Sequence, residues 1–134
     1  MGFMSKPVNS NKDCLFCNLE NGRILYSNEH AFATRDKYPV TEHHTLIIPK
    51  RHTASYFELG EREILSCHEL LIRSKNDILE LDYSVTGFNV GINIGKSAGQ
   101  TIFHCHIHLI PRREHDVENP RGGVRGVIKE KQQY

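Results

Sequence analysis

Apolar and polar positions along the chain predict a series of short strands and one long helix. Asn21-Gly22 is a turn signal, and residues 23–27 read as a short strand after it. A turn at Asn28-Glu29 leads into a second strand over residues 30–36, so the two predict a hairpin. Tyr38-Pro39-Val40-Thr41 breaks the pattern. The apolar run Leu46-Ile47-Ile48 has the continuity of a central strand and is expected to stop at Pro49. Over residues 60–81, Ile64, Cys67, Leu71, Ile78 and Leu81 recur at three- and four-residue steps, with Ser74 or Lys75 interrupting them. That is the stripe of an amphipathic helix, and Glu61 and Glu63 suit its N-terminal dipole. Residues 83–94 alternate again, with Val85, Phe88, Val90, Ile92 and Ile94 as an apolar face. A loop over 95–101 joins them to a last strand, on which His104, His106, His108 and Ile110 share one face and Cys105, Ile107 and Leu109 the other. The sum is an α+β fold with an antiparallel sheet of about five strands and one long helix.

Composition narrows the function classes. A chain of 134 residues suits one domain with a single core. A polar, flexible N-terminus is expected over 1–12, the domain over 13–113, and a polar, glycine-containing tail over 114–134. The net charge of +1 leaves no electrostatic footprint for nucleic acid. No apolar run approaches membrane-spanning length, and the first residues lack the apolar core of a signal peptide. The four cysteines do not have the layout of a secreted disulfide scaffold, which points to the reducing cytoplasm.

Candidate chemistry concentrates near the end of the domain. One histidine on a strand, or two, reads as a solvated polar face. Three in strict alternation, after the turn Ser97-Ala98-Gly99-Gln100-Thr101, read as a site, because such a turn lets backbone N–H groups approach an anion. Cys14 and Cys17 form a C-x-x-C with three readings: a redox pair, which would need a preceding strand that is missing; half of a metal knuckle completed by histidines; or two thiols without a partner. Asp36, at a strand end, suits ribose hydroxyls or is a solvated turn residue. His30, His43 and His68 read as solvated, and Cys67 as a small core residue.

The segment His104-Cys105-His106-Ile107-His108-Leu109-Ile110 resembles the signature of the histidine triad family, and Gly99-Gln100-Thr101 resembles its phosphate-contacting flank. A second block, His44 followed by an apolar strand and Ile48-Pro49-Lys50, resembles the family's other signature, so the likeness runs from Cys14 to Pro111. It implies a nucleotidyl hydrolase or transferase acting on small nucleoside phosphate conjugates, such as dinucleoside polyphosphates or nucleoside phosphoramidates. His106 would be the nucleophile, its other ring nitrogen donating to a backbone carbonyl. His108 would touch the phosphate or protonate the leaving group, and His44 and His104 would complete the machinery. Asp36, Asn93, Gly99, Gln100, Thr101, His106 and His108 would hold the nucleotide. By the same resemblance Cys14, Cys17, His52 and His104 would bind a structural zinc, with no organic cofactor, and the molecule would be a homodimer. The segment VENPRGGVR resembles a tail of one bacterial branch; where an aromatic often follows its last arginine, this chain has Gly126. Two alternatives stay open: a non-catalytic nucleotide-binding module, and a metal-dependent hydrolase with the three triad histidines as ligands.

Overall fold

A computed structural model describes residues 11–134. Five strands, β1 (Ile24–Ser27), β2 (Ala31–Arg35), β3 (Thr45–Pro49), β4 (Val85–Gly91) and β5 (Ile107–Arg113), form one sheet in the order β1-β2-β3-β5-β4. Every neighbouring pair is antiparallel. One helix, α1 (Glu61–Leu81), connects β3 to β4. The expected α+β architecture is therefore present. The part of the expected flexible N-terminus within 1–10 lies outside the described residues. The Asn11 and Lys12 carbonyls accept hydrogen bonds from the Asn18 side chain, beside the turn that carries the two cysteines.

The helix lies against β2, β3 and β5. Cys67 and Leu70 pack on Ala31, Ala33, Ile47 and Ile107, and the small alanines let the helix approach the sheet. The buried stripe is Ser66, Cys67, Leu70, Ser74 and Ile78, rotated from the one expected. Leu81 points to solvent, whereas Ser74 is fully buried and lies 2.7 Å from the Tyr26 hydroxyl. Ser74 thus completes the stripe through a hydrogen bond instead of interrupting it. At the other end, Glu63 accepts from the Gly60 N–H and from Arg51, which holds its carboxyl below the usual range. Among the described residues, no helix is long and apolar enough to cross a membrane.

On the opposite face of the sheet, Phe16 from the C-x-x-C turn packs on Phe32, Leu46 and Ile48. β3 stops at Pro49 as expected, with Pro49 as its last residue, opposite Ala31, where a missing N–H is tolerated. One expectation needs correction: the three histidines do not share a strand. β5 begins at Ile107, opposite Ile47, and β4 ends at Gly91, opposite His108. His104 and His106 lie in the preceding loop, where the Cys105 N–H donates to the Thr53 carbonyl instead of to a strand neighbour.

After β5, residues 114–134 fold back as a closed loop. Asn119 pairs with Gln133, and Arg121 and Arg125 both lie over the Tyr134 ring, at 4.7 and 4.8 Å. The aromatic that Gly126 does not supply is Tyr134. Gly122, at φ 89°, passes so close to the Gln132 carbonyl that any Cβ would collide with it.

Candidate active site and metal site

His44, His104 and His106 are each oriented by a fixed backbone group, and those groups determine which ring nitrogens carry protons. The Val40 N–H, which can only donate, lies 3.0 Å from His44 Nδ1. Neutral His44 therefore carries its proton on Nε2, which lies 2.9 Å from His108 Nδ1. His108 in turn accepts at Nδ1 and presents Nε2–H. His106 Nδ1 is 2.8 Å from the His104 carbonyl, so it donates there and leaves Nε2 with a free lone pair. The expected tie of His106 to a backbone carbonyl is present. His104 Nε2 is 2.7 Å from the Pro49 carbonyl, which turns the lone pair of Nδ1 towards the cysteines.

Burial disfavours the charged form of His44, His104 and His108. It lowers the pKa of His44 and His104, and brings that of His108 down to about 4, with His106 and His44 adding to the effect. Asp36, 3.5 Å from His44 Nε2, opposes the shift at His44 without reversing it.

A pocket of about 410 Å³ opens on these groups. The expected nucleotide residues Asp36, Asn93, Gly99, Gln100, Thr101, His106 and His108 all line it, with His44. Gly95 and Gly99, at φ 91° and 95°, shape the turn between Asn93 and Thr101. Gln100 lines the pocket but turns its amide into the loop. It is buried, its Nε2 donates to the Ala54 and Ile102 carbonyls, and its Oε1 accepts from the Gly95 N–H. Both faces of its amide are committed to the loop, so it shapes the turn from behind.

The second group brings Cys14, Cys17, His52 and His104 together. Their donor atoms lie within 4.8 Å of one another. Three of the four sulfur-to-nitrogen separations are 3.3–3.5 Å (Cys14 to His104, and Cys17 to His52 and His104), and the two Nδ1 atoms are 3.2 Å apart. Tetrahedral zinc, at its usual bond lengths, gives edges of about 3.5 Å for S···N and about 3.3 Å for N···N. The four residues can therefore hold a metal, and the Pro49 carbonyl supplies the outer contact that orients such a histidine. The three triad histidines do not converge on one ion. His104 faces the cysteines, His106 Nδ1 faces a carbonyl, and His108 Nδ1 faces His44. Asp36, His44 and His108 also lie close together, but the proton on His44 Nε2 makes that group a hydrogen-bond chain.

Several contributors were not legible as such. Phe16, between the two cysteines, sets its ring 5.0 Å from that of His106. Leu15, Arg23, Lys37 and Leu46 also line the pocket, and only their places beside the two motifs could have suggested it. His43, expected to be solvated, is largely covered, has φ 73°, and lies 3.6 Å from Asp82. His30 is partly buried, with Nε2 itself buried, while His68 is exposed as expected.

The family described as HIT domain matches residues 20–115. An uncharacterized HIT-like protein of Saccharolobus solfataricus is 36% identical over 107 residues, covering 77% of this chain and 76% of that protein. An adenylylsulfatase of Arabidopsis thaliana is 35% identical over 108 residues, covering 78% of this chain and 54% of that longer protein. A zinc-bound histidine triad family protein from Mycobacterium smegmatis superposes with a TM-score of 0.71 at 32% identity, over 80% of each chain.

Proposed function

Because the chain belongs to the histidine triad family, we propose that it is a nucleotidyl hydrolase or transferase that works through a covalent intermediate on His106. The observation that carries this reading is the orientation of that ring. Its Nδ1–H is tied to the His104 carbonyl, and Nε2 is free to attack. The substrate class is a nucleoside phosphate conjugate, such as a dinucleoside polyphosphate, a nucleoside phosphoramidate or a mixed anhydride. The adenylylsulfatase activity of the Arabidopsis relative supports that class.

In this reading Asp36 takes the ribose hydroxyls, and Asn93 and the turn at Gly99 and Thr101 hold the phosphate. Nε2 of His106 forms a bond to the α-phosphorus as the bond to the leaving group breaks. His108 passes its Nε2 proton to the departing atom while the proton on His44 Nε2 shifts to His108 Nδ1. Water or another acceptor then attacks the phosphorus and gives its proton to His108 Nε2, the Nδ1 proton returns to His44, and the bond to His106 breaks with release of the nucleoside monophosphate or its ester. Gln100 acts by shaping the turn.

Cys14, Cys17, His52 and His104 would hold a structural zinc, because four N/S ligands leave no open position for chemistry. The bound ion would tie the N-terminal turn to the segment that carries His106. Four cysteines, none of them in a disulfide among the described residues, suit a reducing compartment such as the cytoplasm, and the molecule is read as a homodimer.

Mass spectrometry after mixing with nucleotide conjugates tests the mechanism. The expected result is a gain of one nucleoside monophosphate on His106. His106→Ala should lose turnover by on the order of 10⁴–10⁶ while still binding nucleotide. Turnover by that variant at the native rate would refute the mechanism, and nucleotide binding without adduct or turnover on any conjugate would favour a binding module.

A further inference from the structure

The pocket that holds the histidines continues past Asp36. A second chamber of about 660 Å³ adjoins it, and Leu15, Arg23, Thr34, Asp36 and Lys37 line both. With a 5′-phosphate at His106 and a ribose at Asp36, the base has this chamber before it. Leu15, Leu19 and Leu25 offer apolar surface to the faces of a ring.

The polar part of the wall is rich in donors. Arg23 is half-buried and held at both ends: its Nη2 donates to the Arg35 carbonyl at 3.1 Å, and its own carbonyl accepts from the Thr34 hydroxyl at 2.6 Å. The Arg35 carbonyl takes one of the two Nη2 protons, and the other lies beside Nε–H or Nη1–H, neither of which makes a hydrogen bond among the described residues, so one two-donor edge is left; neither Arg23 nor Lys37 has a carboxylate within 4.0 Å there. Of the acceptors in the lining, Asp36 Oδ1 accepts from the Tyr38 N–H and Oδ2 faces His44, and in the nucleotide reading this carboxylate also takes the ribose; the Thr34 hydroxyl donates to the backbone, and Asn18 and Glu20 stand at exposed positions.

Bases differ in what they offer such a wall. Guanine and hypoxanthine present two acceptors, O6 and N7, whereas adenine presents N7 beside an amino donor. A guanidinium fork matches two adjacent acceptors and is mismatched to a donor. We propose that the chamber beyond Asp36 is a base-selecting site, in which Arg23, assisted by Lys37, favours a 6-oxopurine over a 6-aminopurine. This rests on the nucleotide reading of the histidine pocket and adds the base to it.

Calorimetric titration of the whole protein with guanosine, inosine and adenosine 5′-monophosphates tests it. The expected result is that the guanosine and inosine nucleotides bind about tenfold more tightly than the adenosine nucleotide. Inosine lacks the 2-amino group of guanine, so it isolates the O6/N7 edge. Arg23→Leu should bring the ratio close to one, and Lys37→Gln should narrow it. Equal or tighter binding of adenosine monophosphate, inosine behaving like adenosine, or a ratio unchanged in Arg23→Leu would overturn the base assignment and leave the nucleotide reading standing. Binding of none of the three would overturn the nucleotide reading, and this inference with it. If Arg23→Leu does not fold, Arg23→Lys, which keeps the charge and loses the fork, takes its place, and the native ratio still decides.

Discussion

At the scale of single residues, the site depends on neutral imidazoles. His108 is brought from an ordinary 6.5 down to about 4, chiefly by burial, with His106 and His44 contributing. The sign follows from proton counts: between about pH 4 and 6.5 the unfolded chain binds more protons at this residue than the folded one. The resulting stability is complete above about pH 6.5 and is lost as the pH falls towards 4. His44, whose pKa is also lowered by burial, adds in the same direction. The unfolding temperature should therefore fall on acidification through that window, and less steeply in His108→Asn. Parallel pH profiles for the two proteins would show that His108 is not the titrating group.

Elements transmit these constraints. The phosphate-side turn is fastened at Gln100 to Ala54, two residues from His52, and the Thr53 carbonyl accepts from Cys105 between two of the triad histidines. Gln100→Leu would leave the Gly95 N–H and two carbonyls without their partner, a loss of about 1–3 kcal/mol. Denaturant unfolding should register that loss, and turnover should fall with it; an unchanged midpoint would mean that the turn holds without the amide. Metal removal acts on the same connection: a chelator should lower the unfolding temperature and weaken nucleotide binding together, measured by thermal scans and titration.

Much of this arrangement was legible in the sequence because its signals were local. The alternation in β5, the apolar run of β3 and the period of α1 each arise from residues close together in the chain. The positions of His104 and His106 were not legible. Alternation continues through them, yet the ladder starts only at Ile107, where β3 can pair, and Thr53 takes the Cys105 N–H instead. Ser74 misled for the same reason, since Tyr26, which it meets, is 48 positions away. The commitment of the Gln100 amide to the loop was not legible either, because nothing nearby in sequence shows that Ala54 claims it.

At the scale of the molecule, the sheet has a helix on one face and the cysteine turn on the other, and its edge strands are β1 and β4, the latter touched by the C-terminal turn at Gly123. An open edge strand invites pairing unless something covers it. β4 exposes Val90, and α1, the next element back in the chain, exposes Leu65, Ile72 and Leu79 at seven-residue intervals along one side. Seven residues is close to two helical turns, so the three lie in a row. That row and that edge are the surfaces through which the proposed homodimer would form, because two copies of one edge can pair antiparallel about a twofold axis. Sedimentation velocity at micromolar concentration should give a dimer. Ile72→Glu, which places a charge in the middle of the row, should shift it towards monomer without unfolding the chain, because Ile72 is 44% exposed in the isolated subunit. A monomer in the native protein, or a dimer indifferent to Ile72→Glu, would move the interface elsewhere on the surface.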